Sequence, residues 1–175
     1  GKNDITNVHI TLAEKSTTAT LNFSSGGTAQ DANGNSVVIP AEGVVTAGGV
    51  SYSGDINVSI LHLDPTTPSF GLLTQGNDMS AINTAGEYGT LYSYGVLKVE
   101  LSDASDNKLQ LAPGKTATIT LKIPSAQLTS APSTIPLWYF DEEKGRGIEE
   151  GIATKTGDSY VGTVSHFTDW NCDVL

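Results

Sequence analysis

The amino-acid sequence predicts an all-β protein, a β-sandwich of two mainly antiparallel sheets with about ten to eleven strands and very little helix. Apolar and polar residues alternate through most segments, which is typical of strands that bury one face. Clusters of Gly, Asn, Asp and Pro recur at intervals of about 8–12 residues, as turns do in sandwiches and barrels. Charged residues make up only 16% of the chain, and a composition this poor in Lys, Glu, Arg and Met disfavours helices.

The first elements are predicted to be short strands. Residues 8–12 and 19–23 alternate apolar and polar side chains, and Pro40 ends a strand at 36–39 because proline has no amide hydrogen to donate. Residues 55–63 form the clearest long strand. Glycine- and asparagine-rich turns separate these segments, which favours antiparallel pairing between neighbours.

The alternation breaks between residues 64 and 83, where prolines and glycines surround an apolar run at Phe70, Leu72 and Leu73. We expect an ordered crossover there, with a short helical turn that buries those side chains. Strand character returns in the later segments, at 88–101, 115–123, 135–140, 147–155 and 159–167.

Apolar side chains that share one strand face are predicted to form the core. The end of the chain should pack against it, because a mobile tail would expose Trp170 and because the unpartnered thiol of Cys172 favours burial. The predicted core residues are Ile56, Val58, Ile60, Val99, Leu101, Ile119, Leu121, Leu137 and Val161.

The formal net charge of −10 repels phosphate backbones and anionic headgroups, so neither nucleic acid nor a membrane surface is an expected partner. No stretch reaches the ~18 apolar residues of a membrane span. The single cysteine excludes an intrachain disulfide and a cysteine-based metal site, and no cofactor is predicted. We expect residues 1–175 to form one monomeric domain, with residues 1–13 as the tail strand of a preceding module.

From Ile135 the chain reads IPLWYFDEEKGRGIEEGIATKTGDSYVGTVSHFTDWNCD. This block resembles the C-terminal part of a group of Bacteroidetes surface lipoproteins, in which a carboxypeptidase-regulatory-like module precedes a β-sandwich. It is also similar, more distantly, to cartilage intermediate layer proteins and to ZU5-type sandwich domains. Other matching segments are VVIPAEGVV, SILHLDPTTPSF and GVLKVELSDASDNKLQLAPGKTATITLKIP, so the resemblance extends from about Leu21 onward.

The resemblance implies an extracellular or cell-surface location, with lipid anchoring through a removed N-terminal segment, and it implies no reaction. The chain departs from the family turn, Gly-Leu-Trp-x-Glu-Glu-Gly, because it reads Gly-Arg-Gly-Ile-Glu-Glu-Gly at 145–151. An aromatic residue of that loop is therefore missing. We expect a non-catalytic binding or structural module whose partner is an unknown protein or a glycan.

Two enzymatic alternatives stay open, and the first is self-cleavage between Phe167 and Thr168. The segment Ser165-His166-Phe167-Thr168 resembles the His-Phe-Ser and His-Leu-Thr sites at which some ZU5-like domains cut themselves. The Thr168 hydroxyl would attack the Phe167 carbonyl with His166 as the base. We expect an intact peptide bond instead, with His166 as a strand residue, because the motif supplies residue types and a sequence does not reveal strain.

The second alternative is a carbohydrate-active enzyme in which Glu149 and Glu150 supply the two carboxyl groups. Both follow a hairpin turn at 141–146 that carries charges of both signs, so a solvated, self-neutralising turn is the favoured interpretation. The histidines share no ligand spacing, and no metal site is predicted from His9, His62 and His166.

Ligand candidates are an aromatic pair and two oxygen-rich loops. Tyr92 and Tyr94 alternate onto one strand face and would form an exposed binding strip, whereas Trp138 and Phe140 are interpreted as core. Neither loop has the closing Glu of an EF-hand, so ordinary turns are favoured over calcium sites. The loop residues are Asp31, Asn33 and Asn35 in the first, and Asp103, Asp106 and Asn107 in the second.

Overall fold

The computed structural model describes residues 13–74 and 79–175, so the predicted strand at 8–12 and nearly all of the predicted tail strand at 1–13 lie outside the described residues. The described part contains fourteen strands and one four-residue helix, which confirms an all-β fold with very little helix. The elements are β1 (Ala19–Asn22), β2 (Gly27–Gln30), β3 (Ser36–Ile39), β4 (Val44–Thr46), β5 (Asp55–Leu63), α1 (Phe70–Leu73), β6 (Ser80–Ile82), β7 (Tyr88–Thr90), β8 (Tyr92–Ser102), β9 (Lys108–Leu111), β10 (Ala117–Lys122), β11 (Thr134–Asp141), β12 (Arg146–Thr156), β13 (Ser159–Val164) and β14 (Asp169–Val174).

The strands belong to one hydrogen-bonded sheet with the order β1-β5-β8-β14-β11-β12-β13-β10-β3-β2. Its pairs are antiparallel except for β12 with β6, which run parallel. The strand number exceeds the predicted range because strands such as β4 and β7 have only three residues, too few to show alternation. Strands β4, β6, β7 and β9 attach beside the main path.

The two ends of the sheet, β1 and β2, meet at a bridge between Asn22 and Gly26, so the sheet is nearly closed into a barrel. The expectation of two separate sheets is therefore wrong. Register shifts in β11, between Pro136 and Trp138, and in β14 increase the local twist and let one sheet wrap around itself. Alternation has the same period in sandwiches and barrels, so it does not distinguish between them.

Most of the predicted core lies inside this barrel, but Ile60 and Val161 are only half-buried. Ile60 lies beyond the end of β1, which pairs with β5 only as far as Val58. The sequence prediction placed Val161 on the wrong face of β13, because its neighbour Tyr160 is the residue that points into the core. The predicted core residues confirmed as buried are Ile56, Val58, Val99, Leu101, Ile119, Leu121 and Leu137.

The segment after β5 covers part of the outer face of the sheet. Trp138 projects outward and packs in a small second cluster with Ala81 and Leu91. Trp138 is buried as predicted, whereas Phe140 is half-buried. The short helix does not bury the apolar run predicted to pack there, and Leu72 is exposed.

The chain end packs as predicted, because Trp170 and Cys172 on β14 are both buried in the core. Burial raises the pKa of the Cys172 thiol well above its ordinary value. Within residues 13–74 and 79–175, no helix has the length and apolar character needed to cross a membrane.

Candidate functional site

The tail motif lies in the link between β13 and β14, not in a strand, so the expectation that His166 is a strand residue is wrong. The link occupies residues 165–168 and must pass the β11–β12 hairpin, because β14 and β13 lie on opposite sides of it. Strand alternation through residue 168 is therefore not maintained. The bend brings the motif against side chains from three other strands.

His166 is held by two aromatic rings and one carboxylate. Its ring centroid lies 4.9 Å from those of Tyr139 and Trp170. Its Nε2 lies 3.5 Å from Oε2 of Glu150, a contact that becomes an ion pair when the imidazole is protonated. Glu150 also accepts a 2.8 Å hydrogen bond from the Ser165 hydroxyl. The imidazole and carboxylate form a pair of the kind that can move a proton.

A glutamine that the sequence analysis did not identify, Gln110, forms hydrogen bonds with the backbone of Phe167. Gln110 on β9 accepts from the Phe167 amide nitrogen and donates from Nε2 to the Phe167 carbonyl, both at 3.3 Å. The Phe167 ring is buried in the core. The Thr168 hydroxyl oxygen is buried without a hydrogen-bond partner in the described structure. A buried, unbonded hydroxyl is costly and marks a position that needs an explanation.

The structure separates the two tyrosines of the predicted binding strip. Tyr94 is only 5% exposed and belongs to the core, where its hydroxyl donates to the Ser130 carbonyl. Tyr92 is 56% exposed at the start of β8, with its ring edge-on to Tyr94. Of these two tyrosines, only Tyr92 is therefore positioned to contact a ligand.

Gln127 is the polar side chain beside Tyr92, and sequence reasoning missed it. It is 8% exposed and donates from Nε2 to the Ser93 carbonyl at 2.9 Å and to the Tyr92 hydroxyl at 3.3 Å. Its Oε1 has no hydrogen-bond partner in the described structure. A shallow groove runs past this pair, lined also by Thr66, Phe70 and Leu91 among others.

The two candidate calcium loops are built alike. The Asp31 carboxylate accepts from the amides of Asn33 and Asn35 and from the Asn35 side chain at 2.8–2.9 Å. Asp103 makes the corresponding three bonds to Ser105 and Asn107. These N–H donors occupy the oxygens that calcium would need, so both loops function as turns in this structure.

Other charged groups of these loops are also engaged. Asp106 forms a 2.7 Å ion pair with Lys15, and the Lys15 hydrogen bond holds the pKa of the Asp106 carboxyl below its ordinary value. In the described ranges no group of three or more His, Cys, Asp or Glu side chains converges as metal ligands would.

The adjacent carboxylates Glu149 and Glu150 serve different parts of the fold. Glu149 accepts from the backbone amide of Thr84 at 2.9 Å, in the turn between β6 and β7. Glu150 contacts the β13–β14 link through Ser165 and His166. Glycoside hydrolysis requires two carboxyl groups that face each other across a cleft, and Glu149 and Glu150 do not have this arrangement.

Titratable groups that the sequence analysis did not identify include the buried Asp173 and the partly buried His62. Asp173 on β14 is fully buried, and burial raises the pKa of its carboxyl to about 7, although bonds from Ser93, Asn171 and the Tyr94 backbone oppose the rise. Burial lowers the pKa of His62, whose Nε2 has no partner among the described residues. An Asp one residue from the end of a strand carries no sequence signal of burial, so Asp173 could not be identified beforehand.

Comparison with known proteins gives one distant similarity. No family model matches the chain, and no solved structure matches it. Cartilage intermediate layer protein 1 of Sus scrofa is 28% identical over 116 residues, which cover 65% of this chain. The chain spans 18% of the length of that protein. The comparison confirms the distant similarity to cartilage intermediate layer proteins and assigns no family.

Proposed function

We propose that this chain is a non-catalytic, extracellular binding module of a surface-anchored bacterial protein. The observation that carries the proposal is the Tyr92 ring, which is held by Tyr94 and Gln127 yet leaves 56% of the residue exposed. An exposed aromatic side chain with a fixed orientation is the kind of anchor that binding surfaces use.

The location rests on similarity. The tail block resembles Bacteroidetes surface lipoproteins, and the relative from Sus scrofa is named for an intermediate layer of cartilage. The single, buried cysteine is compatible with export, because a large apolar core can stabilise a secreted domain without disulfides.

The non-catalytic part rests on how the acidic groups are used. Asp31, Asp103 and Asp141 each fix a turn by accepting from backbone amides. Glu149 anchors the β6–β7 turn, and Glu150 anchors the β13–β14 link. Carboxylates with these structural roles are explained without a reaction, which favours the binding module over a carbohydrate-active enzyme.

Protease treatment of intact source cells tests the location. An extracellular module releases its own peptides under conditions that leave cytoplasmic marker proteins whole. The exposed turn at 142–145 contains Lys144 and is a suitable tryptic site. Recovery of these peptides only after cell lysis would contradict the proposal.

A second candidate function, self-cleavage between Phe167 and Thr168, is favoured by one specific observation. The Thr168 hydroxyl is buried without a partner, while Gln110 donates to the carbonyl that it would attack. Attack by this oxygen would break the Phe167–Thr168 C–N bond, forming an ester and freeing the Thr168 amino group. Water would then hydrolyse the ester to the Phe167 carboxyl group and the Thr168 hydroxyl.

The link at 165–168 contains no residue with a positive φ. The non-glycine residues with positive φ in the described ranges are Glu42, Met79 and Asp106, all remote in sequence from the link. Hydroxylamine distinguishes the candidates because it cleaves esters rapidly and amides slowly. Self-cleavage predicts an accelerated cut between Phe167 and Thr168 that Thr168→Ala abolishes and Thr168→Ser retains, whereas the binding module predicts no cut at that bond in any of the three proteins.

A further inference from the structure

The groove beside Tyr92 has an unusual charge distribution for this protein. None of the described residues that line it is ionisable at neutral pH, although the chain carries 28 Asp, Glu, Lys and Arg side chains and a net charge of −10. Its polar groups are hydroxyls and amides, from Thr66, Ser93 and Gln127. Its apolar wall includes Phe70 and Leu91. This chemistry suits a ligand that has hydroxyl groups and no charge.

Tyr92 is fixed before any ligand arrives. Its ring lies 5.5 Å from the Tyr94 ring at an interplanar angle of 76°, and Tyr94 is itself anchored to the Ser130 carbonyl at 3.2 Å. The Tyr92 hydroxyl accepts from Gln127. A ligand that stacks on this ring therefore meets a side chain that two contacts already orient, which lowers the entropic cost of binding.

The edge of β8 near the groove is less suited to an added peptide strand. Gln127 Nε2 donates to the Ser93 carbonyl, an acceptor that strand addition would need. On the other side, Tyr92 pairs with Val174 of β14. The exposed aromatic face, not the main chain, is the feature available for recognition.

We propose that this groove binds a neutral glycan, with one sugar ring stacked on Tyr92 and its hydroxyls directed to the amide and hydroxyl groups beside Gln127. The inference rests on the proposed function, since it names the ligand class of that binding module. Acidic polysaccharides are disfavoured by the repulsion expected from a chain of net charge −10. An apolar peptide is the competing ligand, and it would not need the polar end of the groove.

Native gel electrophoresis in polysaccharide-containing gels tests the proposal. The gels contain galactomannan, glucomannan, laminarin or dextran as neutral polymers, and alginate or polygalacturonate as acidic ones. We expect slower migration in at least one neutral gel and unchanged migration in both acidic gels. Tyr92→Ala and Tyr92→Leu should weaken the interaction at least tenfold, because aliphatic side chains cannot stack on a sugar ring.

Two variants serve as controls. Tyr92→Phe keeps the ring and should keep most of the retardation. Tyr88→Ala removes another exposed tyrosine, one that lies outside the groove and contacts Arg146, and should bind as the wild type does. Migration without polysaccharide and a thermal melt check each fold, and Tyr92→Leu decides the question if Tyr92→Ala is unfolded.

Three results would overturn the inference: no retardation by any neutral polymer, retardation that Tyr92→Leu leaves intact, or retardation by the acidic polymers. The outcome of the protease experiment on intact cells does not depend on any of these three results. Failure of the glycan proposal is thus distinguishable from failure of the proposed extracellular location.

Discussion

Asp173 makes the stability of this protein depend on pH. Its carboxyl is fully buried, one of its oxygens has no hydrogen-bond partner in the described structure, and burial raises its pKa to about 7 from an ordinary value of 3.8. The folded state therefore favours the neutral acid, whereas the unfolded chain ionises at low pH. The resulting stabilisation is fully present below pH 3.8 and is lost as the pH rises through about 7.

The magnitude follows from the two pKa values. Each pH unit between them costs about 1.4 kcal/mol of unfolding free energy, so the whole window corresponds to about 4 kcal/mol. Asp173→Asn replaces the acid with a neutral group of nearly the same shape, which can still accept the 3.1 Å bond from Asn171. The variant should lose this pH dependence and exceed the wild type in stability at pH 8.

Urea denaturation of both proteins from pH 4 to pH 8 measures the effect. The difference in unfolding free energy, variant minus wild type, should rise by about 4 kcal/mol across this range. Asp55→Asn is the matched control, because Asp55 is exposed, and its difference should stay nearly constant. A constant difference for Asp173→Asn, or one that falls with rising pH, would refute the reasoning.

Three further predictions concern side chains in or beside the core. Burial lowers the pKa of His62, so its neutral form is stabilising above the ordinary pKa of 6.5 and that stability is lost as the pH falls. His62→Gln should therefore reduce acid destabilisation in melts from pH 7 to pH 5. Ile60→Ala should cost about 1–2 kcal/mol in denaturant titrations, against about 2–5 kcal/mol for Leu137→Ala, because Ile60 is only half-buried; equal losses would contradict the assigned burial. The Cys172 thiol should react with a thiol reagent only as fast as the protein opens, and rapid labelling of the native protein would show that β14 does not pack as described.

The strands could be predicted from the sequence because apolar and polar side chains alternate along them, but the closure of the sheet could not. Strand β10 follows its apolar pattern throughout, β5 does so at 55–58 and β8 at 97–101, and the inward residues of these segments are buried. The same pattern fits a sandwich or a barrel, and closure depends on bulges and on a bridge at Gly26 that alternation does not encode. Position 26 requires glycine because a Cβ there would lie 2.3 Å from the Ile39 carbonyl oxygen and because its φ is +62°.

The site was harder to predict than the fold because its key contacts are long-range. Tyr92 and Tyr94 look equivalent in sequence, yet Tyr94 lies in the core and Tyr92 lies at the rim. Gln127 lies in a connector 35 residues from Tyr92, and Gln110 lies 57 residues from Phe167. A polar residue in a turn-rich segment reads as solvent-exposed unless its distant partner is known.

The most direct test of the non-catalytic account is the intact mass of the purified, denatured chain. Self-cleavage would yield a shortened species that lacks residues 168–175, together with the free eight-residue peptide that begins at Thr168. A non-catalytic module predicts a single species of full mass after prolonged incubation without protease, and the same result for Thr168→Ala. A shortened wild-type species that is absent from Thr168→Ala would contradict the account and make Thr168 and His166 its functional residues.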